Sequence, residues 1–176
     1  IYGDRLKNTH DTGNLKITKS VISNLSSDDT REFTFEITAN PAISGEYTLN
    51  YTGGTSTRTK AEKITFTNGT AQGLILTKDE TVTISGLPTN VTYTVTEDVT
   101  EALAARFEEP LYVGQSQKLE NKDQDKGDTI STTGTNTRKT GNIILKKIVD
   151  SPIPAEKFAG AINARLPEDI RVVFSD

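Results

Sequence analysis

Three polar residues stand where the alternation of a β-strand calls for apolar ones. In Gly13-Asn14-Leu15-Lys16-Ile17-Thr18-Lys19-Ser20-Val21, a two-residue period puts Leu15, Ile17, Lys19 and Val21 on one face. A lysine on a core-facing row is expensive without a partner, and burial drives it toward the neutral amine. The row Val91, Tyr93, Val95 runs on the same parity to Glu97, and Ile130, Thr132, Gly134 runs to Asn136, although this last row is hardly apolar. An amine, a carboxyl and a carboxamide that meet in a core are the ingredients of an intramolecular amide bond. Burial favours the uncharged amine, which is a competent nucleophile, and the uncharged acid. The acid is then expected to donate a hydrogen bond to the Asn136 carbonyl oxygen and to pass a proton to departing ammonia. A link from residue 19 to residue 136 closes a loop of 118 residues (136 − 19 + 1). In the chain-entropy account such a cross-link contributes roughly 5 kcal/mol, and an amide cannot be reduced. The residues alone leave two plainer readings open. Lys19 guards an edge strand against aggregation, or Glu97 is simply its salt-bridge partner.

Positioning these groups requires strands, and the rest of the chain supplies them. Phe33, Phe35 and Ile37 alternate with polar residues, and Tyr47, Leu49 and Tyr51 follow before a Gly53-Gly54 turn. Ile64 and Phe66 precede Asn68-Gly69, a strong hairpin signal. Leu74 to Leu76 and Val82-Thr83-Ile84 come next, then a turn at Gly86-Leu87-Pro88. Short strands separated by turn signals predict an all-β antiparallel sandwich or barrel. Residues 101–107 read as a short helical turn, and residues 115–129 as an exposed, mobile loop.

Composition narrows the function. The net charge of −4 provides no basic footprint, so nucleic acid is not an expected partner. No apolar run is long enough to span a membrane, and residue 1 opens no signal-peptide pattern. The start at Ile1 and the absence of Met suggest a processed protein or an excised segment. There is no Cys and only one His, His10, which removes disulfides, zinc sites and Ser-His-Asp triads from consideration. Asp123, Asp125 and Asp128 lack the Gly and Glu positions of a calcium loop and read as solvated. No cofactor and no metal are expected.

The chain also repeats itself. Asn8-Thr9-His10-Asp11-Thr12-Gly13-Asn14-Leu15 is answered by Asn136-Thr137-Arg138-Lys139-Thr140-Gly141-Asn142-Ile143, a spacing of 128 residues (136 − 8). Lys147 falls six residues beyond Gly141, as Lys19 falls six beyond Gly13. A repeat of about one domain length predicts tandem modules. Residues 1–13 then form a linker or the end of a preceding module, 14–139 the sandwich, and 140–176 an incomplete following module or an unrelated tail.

Several phrases carry a family resemblance: Gly-Asn-Leu-Lys-Ile-Thr-Lys (13–19), Ile-Ser-Gly-Leu-Pro (84–88), Tyr-Thr-Val-Thr-Glu (93–97) and Asn-Thr-Arg-Lys-Thr-Gly (136–141). They resemble the shaft pilins and surface adhesins of Gram-positive bacteria built from collagen-adhesin B-type (Cna B-type) immunoglobulin-like modules. The resemblance covers about residues 13–141. It implies a self-formed Lys19–Asn136 isopeptide bond assisted by Glu97, and a single-turnover reaction rather than an enzyme. By the same mapping Asn8 is the bonding residue of a preceding module and Lys147 that of a following one. It implies an extracellular, cell-wall-attached location, with neighbouring modules or pilin subunits as partners. Neither a sorting signal nor a pilin polymerisation motif is visible. The rival reading is a ligand-binding adhesin domain that recognises a host surface protein or glycan through its loops.

The tail departs from that pattern. Phe158, Ile162 and Leu166 have helical spacing between Pro154 and Pro167, and Ile170 to Phe174 suggests a strand. This helix-plus-strand stretch, 148–172, resembles a fragment of the tRNA pseudouridine synthases of the TruA type. That family's catalytic Gly-Arg-Thr-Asp motif is absent, so no activity is implied.

Overall fold

In a computed structural model, the structure describes residues 11–121 and 128–145. The chain divides into two compact units, 1–138 and 139–176. The first is the sandwich. Its strands are β1 (Thr12–Ile22), β2 (Phe33–Asn40), β3 (Gly45–Gly53), β4 (Lys63–Phe66), β5 (Thr70–Leu76), β6 (Glu80–Pro88), β7 (Val91–Glu97), β8 (Leu111–Val113), β9 (Ser116–Leu119) and β10 (Thr129–Thr137). One sheet has the order β4-β3-β6-β1-β10-β8 and the other β5-β2-β7-β9. The fold is thus all-β and immunoglobulin-like: the alternation predicts the β architecture, and the family resemblance implies the immunoglobulin-like sandwich.

The core is built from the inward rows. Leu15, Ile17 and Val21 of β1 face Phe33, Phe35 and Ile37 of β2 and Val91, Tyr93 and Val95 of β7, all buried. The Asn68-Gly69 turn has φ of 49° and 84°, the left-handed pair that a two-residue hairpin between β4 and β5 requires. A Cβ on Gly69 would also stand 2.9 Å from the Ala39 carbonyl oxygen. Only glycine meets both demands there.

Two features differ from the sequence expectation. The sandwich is antiparallel except at its centre, where β1 and β10 run parallel, Lys19 opposite Gly134 and Val21 opposite Asn136. β9 belongs to the smaller sheet and β10 to the larger one, beside β1. Part of the expected 115–129 loop is β9, whose ladder to β7 runs from Val91↔Leu119 to Thr94↔Ser116. Backbone pairing rather than apolar alternation makes this edge strand, and Leu119 is its one buried side chain. The remaining loop positions 122–127 lie outside the described residues, as does the 148–172 helix-plus-strand reading.

After β7 the chain makes a single helical turn, α1 (Glu101–Ala104), capped by the Thr100 hydroxyl, which accepts from the Leu103 N–H. This delivers Phe107 edge-on to Phe33 at 5.6 Å between centroids. The Arg31 and Arg138 guanidiniums approach the Phe107 ring at 5.9 Å each and both hold the buried Asp28 carboxylate. Phe107→Ala should therefore lower the unfolding free energy by about 3–5 kcal/mol in urea denaturation. A loss of less than about 1 kcal/mol would mean this corner is not part of the cooperative core.

Candidate functional site

Lys19 lies on a strand flanked by β6 and β10, so the edge-guard reading does not hold for it. Its neighbours on the inward side of the sandwich are Glu97 at the end of β7 and Asn136 near the end of β10. The three retain 0%, 4% and 1% of their exposure. Parity on three strands brings them together, and the parallel β1–β10 register sets Asn136 one inward step beyond Gly134, the residue facing Lys19.

The polar contacts form a closed set. Lys19 Nζ donates to Asn136 Oδ1 in a very close contact, lies 3.2 Å from Glu97 Oε2, and stands 3.4 Å from the Gly134 carbonyl oxygen. Asn136 Nδ2 donates to Glu97 Oε1 at 2.8 Å. The carboxyl therefore spans the amine and the amide nitrogen, rather than donating to the amide oxygen as expected from sequence. Glu97 Oε2 makes no hydrogen bond of good geometry among the described residues, so the amine is its polar neighbour. Aromatic rings close the other sides, with Nζ 4.2 Å from the Phe33 centroid and 5.9 Å from that of Phe35.

Burial dominates the electrostatics. It lowers the Lys19 pKa from 10.5 to about 8, against the pull of the Glu97 charge and hydrogen bond in the other direction. A neutral amine is thus within reach near neutral pH, which an exposed lysine does not offer. Chemically the arrangement presents a nucleophile on an amide, with one acid touching both the nitrogen that attacks and the nitrogen that would leave.

Sequence reasoning missed two contributors. Gly134 lacks the Cβ that would stand 3.3 Å from the Phe35 ring and 3.5 Å from the Tyr112 ring, so its size lets both rings close under the site. Tyr112 on β8 accepts the Glu97 backbone N–H on its hydroxyl at 2.7 Å. The only signal for Tyr112 was an aromatic between two aliphatics, which gives no direction without knowing which face is buried. Asn8, His10, Asp123, Asp125 and Lys147 lie outside the described residues. Among the described residues, no group of three or more His, Cys, Asp or Glu is placed to hold a metal. Nor is any helix among them long and apolar enough to cross a membrane.

Comparison with solved structures places this sandwich among pilus proteins in fold. It superposes on a pilus-presented adhesin, Spy0125 (Cpa), with a TM-score of 0.53 and 20% identity, over 74% of this chain and 28% of that one. Another crystal form of that adhesin matches with a TM-score of 0.51 and 22% identity, over 74% and 28%. The major pilin protein (T-13) from Streptococcus pyogenes matches with a TM-score of 0.49 and 17% identity, over 73% and 46%. This chain thus spans little more than a quarter of the adhesin's length. No curated protein matches the sequence. Residues 13–143 match the family described as Domain of unknown function (DUF7601), and the chain belongs to that family.

The lowered Lys19 pKa has a consequence for any form in which the amine stays free. In Asn136→Ala the amine remains buried, so between pH 8 and 10.5 the unfolded chain binds a proton that the folded chain does not. Stability is therefore depressed below pH 8 and recovers as pH rises through that window. Relative to a Lys19→Met/Asn136→Ala control, Asn136→Ala should gain about 2 kcal/mol from pH 8 to about 9.5 in denaturant titrations. No gain would place the amine in water.

Proposed function

We propose that this chain is a load-bearing module of a Gram-positive surface pilin or adhesin stalk, of the Cna B-type, locked by a self-formed isopeptide bond between Lys19 and Asn136. The observation that carries the proposal is the Lys19 amine on the Asn136 amide oxygen with Glu97 bridging both nitrogens, inside the sandwich.

The reaction balances without a cofactor. Neutral Nζ attacks Cγ of Asn136, and charge grows on Oδ1. As Cγ becomes tetrahedral the Nδ2 lone pair is freed from amide resonance and takes a proton from Glu97 Oε1. Glu97 Oε2 recovers a proton from the attacking nitrogen. The C–Nδ2 bond breaks, one ammonia leaves, and a secondary amide remains. Each molecule reacts once, so the protein is not an enzyme in the turnover sense.

The mechanical role follows from topology. Among the described residues β1 and β10 are the first and last strands and lie side by side, so force applied at the two ends of the sandwich would shear their ladder. A covalent bridge between them carries that force past residues 20–135. Module 14–139 would then be one of several, with neighbouring modules or pilin subunits as its partners at the extracellular, cell-wall-attached surface. Ile143 and Leu145 echo the buried Leu15 and Ile17 but are 44% and 42% exposed. That suits the opening of a following module.

Intact mass tests the reading. The folded chain should be lighter than its sequence by one ammonia, and Glu97→Ala should have the full mass and a lower melting temperature. A full-mass native chain would overturn it. The pH profile tests the role of the amine separately. The amine is the attacking group, and it loses its proton as pH rises through about 8. Bond formation in freshly synthesised protein should therefore speed up as pH rises toward 8 and level off above it. A rate that does not change across that range would mean that deprotonation of Lys19 is not required.

A further inference from the structure

Resting on the isopeptide reading, we propose that Tyr112 is a positioning residue for bond formation, fixing Glu97 through its main chain. β7 ends at Glu97, beyond the reach of β9, whose pairing stops at Thr94↔Ser116 and whose flanking Gln115 carbonyl serves Val95. On that side the Glu97 N–H is therefore past the ladder. Tyr112 reaches across from the other sheet and accepts it at 2.7 Å.

The strand that carries Tyr112 has no other apparent inward purpose. β8 is three residues long, and its Leu111 and Val113 are 71% and 75% exposed. Tyr112 is its one side chain turned toward the interior, and it sits opposite Gly134 in the β10 ladder. The lack of a Cβ at Gly134 is what admits the ring. One side chain thus links β8 and β10, through its ring at Gly134, to the end of β7, through its hydroxyl, at the residue whose carboxyl must touch two nitrogens at once. An acid held at 2.8 Å and 3.2 Å from its two targets loses function with small displacements of its backbone.

The test separates space-filling from alignment. Tyr112→Phe keeps the ring and removes the acceptor, whereas Tyr112→Leu removes both. Each is made by cell-free synthesis and the loss of ammonia is followed by intact mass. The readout is the first-order rate constant of the folded fraction. A merely structural defect lowers the amplitude through unfolding and leaves that rate constant in place. Tyr112→Phe should react about tenfold more slowly than the parent, since one aligning hydrogen bond is gone. Tyr112→Leu should be at least as slow, and if it does not fold, Tyr112→Phe alone decides. A Tyr112→Phe rate constant equal to the parent's overturns the positioning role while leaving the isopeptide reading intact. A parent chain that never loses ammonia overturns both.

Discussion

The structure depends on how it accommodates one ammonium-bearing side chain between two sheets. Lys19 is fully buried against Phe33 and Phe35, where an isolated charge has no water to solvate it. One carboxyl, one carboxamide and the Gly134 carbonyl oxygen are its polar company. Burial wins over the attraction of the acid, which is why the amine's pKa moves down rather than up. Replacing such a site by apolar residues generally costs little or even stabilises a fold. A buried ion pair is therefore weak as a stability device. Its retention here makes more sense if the charges are a stage on the way to a neutral product.

Other buried carboxylates in the same sandwich make the contrast. Asp28 accepts from Ser23, Arg31 and Arg138, and Glu80 accepts from Thr77 and Arg58 while pairing with Lys60. Both are surrounded by donors, and their cationic partners are part-exposed. Their pKa values are held below the ordinary carboxylate range despite the burial that opposes this. These are structural anchors held by several cations, one beside the end of β10 and the other at the start of β6. The Glu97 site differs in its cation: the Lys19 amine is fully enclosed, whereas the cations that hold Asp28 and Glu80 reach solvent.

Much of this was legible in the sequence, and the reason is the two-residue period. Parity alone places Lys19 and Glu97 on inward rows, because each ends or interrupts a run of apolar side chains that has only one face to bury. Asn136 was readable on thinner grounds, since Thr132 and Gly134 give its row little apolar weight. Parity says which face a residue takes and nothing about which strand lies beside it. The parallel pairing of β1 with β10 was therefore invisible, though it sets the distance between Lys19 and Asn136. β9 was read as loop because edge strands are made by backbone ladders that Ser-Gln-Lys can join as well as any residue. Tyr112 was hidden because β8 turns its two aliphatic residues outward, the reverse of the usual pattern. The orientation of the Asn136 amide, nitrogen toward the acid, is decided by contacts that no spacing encodes.

The proposed load-bearing role rests on a bond that joins β1 to β10 where the two strands lie side by side. The most direct test is the electron density between residues 19 and 136 in a crystal of the natively folded protein. The account predicts continuous density from Lys19 Nζ to Asn136 Cγ, a planar amide, and no remaining Nδ2. Two separate side-chain tips at non-bonded distance, with the amide nitrogen still in place, would contradict it.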